Sequence, residues 1–150
     1  MANDSQYKIK AKIVGTRGVK EFRASISTYV KPSDLVLEIG CEWGTTSIIL
    51  APACKQLVAT DISSECIERA KSKYPNIDFR VLDVFNIKAV LDYDVRFTKM
   101  YIDVSGFSGY KSTLDVLALI DMYCSLFPLE TVVIKSGSIK NLATRLIAWQ

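Results

Sequence analysis

Four carboxylates close four different apolar, β-branched runs: Glu38 in LVLEI, Asp61 after QLVAT, Asp83 after IDFRVL and Asp103 after TKMYI. Acids at the ends of separate strands can converge on one crevice. Gathered there they repel and raise one another's pKa values unless a cationic ligand with hydrogen-bond donors fills the space. Gly40 and Gly44 follow the first run and suit a sharp strand-to-helix turn that needs positive φ or close backbone approach. Their G-x-x-x-G spacing is not the G-x-G-x-x-G dinucleotide fingerprint, and no Gly-Lys-Ser/Thr follows to make a phosphate loop. The chain has no histidine, which removes Ser-His-Asp and Cys-His nucleophile systems and imidazole metal sites. Cys41, Cys54, Cys66 and Cys124 form no C-x-x-C pair and read as reduced thiols.

Positioning these groups requires a regular alternation of strands and helices. Strands are expected at 35–39, 56–60, 77–82, 98–103 and 131–135. Helices are expected at 45–50, 64–73, 112–127 and 139–149, with a helical turn at 86–91 and a glycine-rich loop at 105–109. Ahead of them, 7–14 alternates lysine with apolar residues as an exposed strand does, and 19–30 reads as an amphipathic helix carrying Phe22, Ile26 and Tyr29 on one side. Strands joined by helices mean βαβ crossovers and an α/β doubly wound, mostly parallel sheet. Right-handed crossovers give the order 3-2-1-4-5 counted from 35–39, with ligands held beyond the carboxyl ends of the strands.

The 150 residues fit one domain, 49% apolar and 23% charged, enough to bury a core. Net charge is +3 but unevenly placed. Residues 1–31 carry seven basic groups against Asp4 and Glu21, and the remaining 119 carry twelve basic and fourteen acidic ones. A basic front end suits a polyanion such as RNA, or is a solvated face. No stretch reaches the ~18–20 apolar residues of a membrane span, and the first ten residues lack a secretory apolar core. The expectation is a cytoplasmic protein with no membrane partner.

The runs LVLEIGCEWGTTS and LVATDISSECIERAKSKYPNIDFRVLDVF resemble the class I, Rossmann-like S-adenosylmethionine-dependent methyltransferases, in register over roughly 19–136. The resemblance implies an enzyme with S-adenosyl-L-methionine as cofactor. It implies that Glu38, Gly40 and Gly44 shape the pocket for the methionine portion, with backbone N–H groups of Cys41, Glu42 and Thr45 close by. Asp61 would accept the ribose hydroxyls, Ile62 pack on the adenine face, and Asp83 with Val84 read the adenine edge. Asp103 would lie near the sulfonium and the acceptor. Lys135, Asp103 and Lys20 are loosely similar to the Lys-Asp-Lys arrangement of RNA ribose 2′-O-methyltransferases, which makes Asp103 and Lys135 the catalytic candidates. No metal is implied.

Asp103-Val-Ser-Gly106 is not the (D/N)-P-P-(F/Y) signature of exocyclic-amine methylation, so the acceptor stays open between RNA and a small molecule. Family members usually carry two further strands after the fifth. Without them the fifth strand is an open edge, to be covered by a homodimer, by a partner subunit or by the N-terminal strand, the first two being favoured. A non-catalytic cofactor-binding module acting through a partner is the alternative to an enzyme.

Overall fold

A computed structural model describes residues 9–104 and 110–149, with no account of the side chains of 110–112. The elements run β1 (Lys12–Thr16), α1 (Val19–Ala24), α2 (Ile26–Tyr29), β2 (Leu35–Ile39), α3 (Ser47–Leu50), a 3-10 turn (Ala51–Ala53), β3 (Gln56–Asp61) and α4 (Ser64–Lys73). Then come β4 (Asp78–Val81), α5 (Ile87–Leu91), β5 (Lys99–Ile102), α6 (Tyr110–Leu126), β6 (Thr131–Lys135) and α7 (Gly137–Ala143). The six strands make one parallel sheet in the order β1-β6-β5-β2-β3-β4. The five expected strands therefore stand in the expected order, with a sixth added at one side.

Successive strand residues face opposite sides, and both sides are covered. Leu37, Ile39, Met100, Ile102, Val132 and Ile134 face one core with Val116, Leu119, Ile120 and Tyr123 of α6. Those α6 residues recur at helical spacing, so one stripe of the helix lies on the sheet. Val36, Ala59, Tyr101 and Val133 face the other core, with Phe22 and Ile26 from α1 and α2 and Ile67 and Ala70 from α4. By this parity Glu38 lies on the second face, beneath α1 and α3.

Three expectations are corrected. The edge of β6 is covered neither by a homodimer nor by a partner subunit but by β1, paired with it from Lys12↔Thr131 to Thr16↔Lys135. The helix expected over 19–30 divides at Ser25, whose hydroxyl donates 2.7 Å to the Phe22 carbonyl and lies 3.2 Å from the Tyr101 hydroxyl. The last helix ends at Ala143 rather than Trp149. There the Thr144 hydroxyl bonds back 2.8 Å to the Asn141 carbonyl, and Leu146, Ile147 and Trp149 beyond it are exposed. Tyr7 and the loop at 105–109 lie outside the described residues.

Candidate functional site

Register brings the strand ends to one level. Ile39 pairs with Thr60 and Ile102, Asp61 with Val81, and Ile102 with Ile134. The residues just beyond, Gly40, Asp61, Asp83, Asp103 and Lys135, consequently share one rim. Two adjoining hollows open there. One, about 210 Å³, is lined by Gly40, Asp61, Ile62, Leu82, Asp83, Val84, Phe85 and Asp103, with Ile39 and Val104. The other, about 270 Å³, shares Gly40, Asp61 and Asp103 with the first and adds Glu42, Cys66 and Lys135. The first is mainly apolar and the second polar, so the cleft suits a ligand with one flat apolar end and one charged end.

The loop after β2 is shaped by its glycines. Gly40 has φ +79°, and a Cβ there would lie 1.8 Å from the Asp103 carbonyl oxygen. Only glycine lets the β2 and β5 ends approach so closely. Glu42 also takes positive φ (49°), which sends its N–H 2.9 Å to Asp61 Oδ2. The N–H groups of Gly40 and Cys41 both donate to the Thr60 carbonyl, and that of Gly44 to Cys41. The first two fasten the loop to β3 and the third closes the loop on itself, so none reaches into the cleft. Arg23 of α1 clamps the loop from outside, donating to the hydroxyls of Thr46 (3.1 Å) and Thr45 (2.9 Å).

Each carboxylate has its own setting. Asp61 accepts the Glu42 N–H on one oxygen and the Ser63 N–H (2.9 Å) on the other, which fixes both for further donors. Asp83 accepts the Phe85 N–H at 3.0 Å. Val84 is held from behind, its carbonyl accepting the Tyr123 hydroxyl at 2.8 Å. Asp103 Oδ1 sits 2.6 Å from Lys135 Nζ, an ion pair one step beyond Ile102↔Ile134. Glu38 is fully buried and accepts the Ser47 hydroxyl at 2.5 Å. Burial raises its pKa to about 7, helped by Asp103 and Asp61 and opposed by Ser47 and Arg23. Burial likewise pushes the Cys41 thiol far up, so it stays protonated.

Gly40, Asp61, Ile62, Asp83, Val84 and Asp103 thus meet in one hollow, and Glu42 and Lys135 in its neighbour. Glu38, Cys41, Gly44 and Thr45 do not line either hollow. Glu38 and Cys41 lie beneath the loop, Gly44 fits against Phe79 and Tyr74, and Thr45 is bound by Arg23. Lys20 is exposed on α1. Sequence reasoning missed Leu82, Phe85 and Cys66. Phe85 had a signal available, an aromatic two residues beyond the acid closing β4, exposed to 49% beside Ile62 at 72%. Among the described residues, no group of acids and cysteines could hold a metal ion.

Residues 36–108 match the model of a family described as a methyltransferase domain. The stretch holds Glu38, Gly40, Asp61, Asp83 and Asp103, and leaves Lys135 outside. The match bears out the resemblance to methyltransferases read from the sequence. No curated protein matches the chain. Solved structures with the same fold include a dimethyladenosine transferase from Plasmodium falciparum, 24% identical, TM-score 0.62, over 87% of this chain and 46% of that one. A second is the PH0226 protein from Pyrococcus horikoshii, 18% identical, TM-score 0.60, over 85% and 60%. A third is an rRNA methylase from Streptococcus thermophilus, 15% identical, TM-score 0.58, over 88% and 81%. The chain spans about half the length of the Plasmodium protein. No helix among the described residues is long and apolar enough to cross a membrane.

Proposed function

We propose that this protein transfers a methyl group from S-adenosyl-L-methionine to an acceptor, RNA or a small molecule, that enters beside Asp103 and Lys135. The observation carrying this reading is the meeting of Asp61, Asp83 and Asp103, from three strands, around a hollow whose other walls are Ile62, Leu82, Val84 and Phe85. The residues present fit the cofactor. Asp103 lines both hollows beside Lys135, and Asp61 offers two positioned oxygens. Asp61 would accept from vicinal ribose hydroxyls, a two-oxygen task that suits a carboxylate. Ile62 and Phe85 would flank the adenine, Asp83 would take its exocyclic amine, and the polar hollow with Glu42 would receive the amino-acid end.

When bound, the cofactor supplies an electrophilic methyl on a positively charged sulfur. The chain's contribution is alignment and removal of water, with Asp103 and Lys135 facing the acceptor. An acceptor hydroxyl would leave its proton at the Asp103–Lys135 pair. Calorimetry with S-adenosylhomocysteine tests the site directly. Asp61→Ala should weaken binding roughly 30-fold or more, the worth of one or two charge-assisted hydrogen bonds. An unchanged affinity places the ligand elsewhere.

A further inference from the structure

The sequence concentrates positive charge at the front of the chain, and the fold brings a second, distant basic segment to the same place. β1 lies at the margin of the sheet against β6, α1 packs on both, and α7 packs on β1. Gly15 allows that last contact, since a Cβ there would come 3.2 Å from the Lys140 nitrogen. Lys140 pairs with Glu21 of α1 at 2.8 Å, and Arg17 donates 3.3 Å to Asn141 of α7. This margin, residues 9–31 and 136–149, holds eight lysines and arginines and a single acid, Glu21. Residues 32–135 hold ten and fourteen. Glu21 is already engaged by Lys140. Lys10, Lys12, Lys20, Lys31 and Arg145 are exposed and make no ion pair among the described residues.

The margin leads to the cleft. Thr16 pairs with Lys135, the Ser136 N–H donates 2.8 Å to the Thr16 carbonyl, and Lys135 is the cation facing Asp103. The extended segment from Lys10 to Arg17, with β1 at its centre, spans roughly 20 Å, long enough to track several phosphates of an extended chain. A narrow basic track ending at a reaction site fits a flexible polyanion whose bases can turn aside into a pocket.

We infer that the margin formed by β1, α1 and α7 binds single-stranded nucleic acid and delivers it to the Asp103–Lys135 end of the cleft. This rests on the methyltransferase reading for its destination, though binding to the margin does not require it. The track supplies contact to phosphates and no sequence reading.

The test uses the full chain with fluorescently labelled mixed-sequence 20-nucleotide RNA and DNA single strands, followed by anisotropy from low to moderate salt. Affinity should fall steeply with salt. Lys10→Glu/Lys12→Glu/Arg145→Glu should weaken it about tenfold or more and flatten the salt slope, with S-adenosylhomocysteine affinity unchanged as the check on folding. Arg145→Glu alone should flatten the slope by up to about one unit, the part of the effect that only the folded arrangement specifies. Lys71→Glu/Lys73→Glu on α4 should do neither. Equal loss from the α4 variant, or no strand binding at low salt, overturns the proposal. So does tighter binding to phosphatidylserine-containing vesicles or to polyglutamate than to either strand. Strand binding without S-adenosylhomocysteine binding would keep the margin and sink the cleft reading, and the converse would do the opposite.

Discussion

The two ends of the same sheet treat charge in opposite ways. At the amino end, Lys99 is buried in β5 and pairs with Asp34 at 3.5 Å and with Glu130. Asp34 also accepts the Thr98 hydroxyl (2.9 Å) and the Lys31 N–H (2.7 Å). Lys99, Asp34 and Glu130 are thus paired with one another, and the cluster joins the starts of β2, β5 and β6. At the carboxyl end Asp61, Asp83 and Asp103 line open space, and Lys135 pairs with Asp103 at its polar side. A closed polar cluster specifies a fold, whereas an acid-rich cluster beside a hollow leaves interactions for a ligand to complete.

Substitutions at the two ends should separate these roles. Lys99→Met leaves Asp34 buried with no ammonium partner, and denaturant unfolding should show a loss of about 3–5 kcal/mol. A loss below about 1 kcal/mol would make the amino end as dispensable as a surface pair. Glu38→Gln sharpens the contrast through pH. Between pH 4.5 and about 7 folded Glu38 keeps a proton that the unfolded chain has lost, so its contribution declines as pH rises through that window. Wild-type stability relative to Glu38→Gln should fall by about 3 kcal/mol between pH 4.5 and 8, and parallel pH curves would contradict this setting for Glu38. Asp61→Ala, costly for ligand binding, should change stability by only about 1 kcal/mol, because the N–H groups it releases can reach water. Asn86→Ala removes the side chain that accepts the Ala89 N–H at the start of α5, a loss of about 1 kcal/mol with no effect on S-adenosylhomocysteine affinity beyond twofold.

Much of the cleft could be read from the chain because its parts are local. Asp61, Asp83 and Asp103 each end a β-branched run, and strand ends meet by the topology of a parallel sheet. The direction of Glu38 could not be read so simply. It follows from which face Val36 and Leu37 take, and hence from the packing of α1 and α3. Lys99 gave no warning either, since a lysine beginning a strand reads as exposed until Asp34 and Glu130 are brought to it. The pairing of β1 with β6 joins segments far apart in sequence, and no local pattern selects β6 over a second molecule. The breaks at Ser25 and Thr144 depend on hydroxyls bonding backward, which compete with helix propensity at a scale of tenths of a kcal/mol.

The pairing of β1 with β6 also has a kinetic consequence. Each β1 residue meets a partner 119 positions later, so β1 cannot dock until β6 has been made. At ordinary elongation speeds that interval is roughly 6–24 s. Through it Ile13 and Val14 wait without a sheet neighbour, and the lysines at 10 and 12 are the nearest guards against premature association.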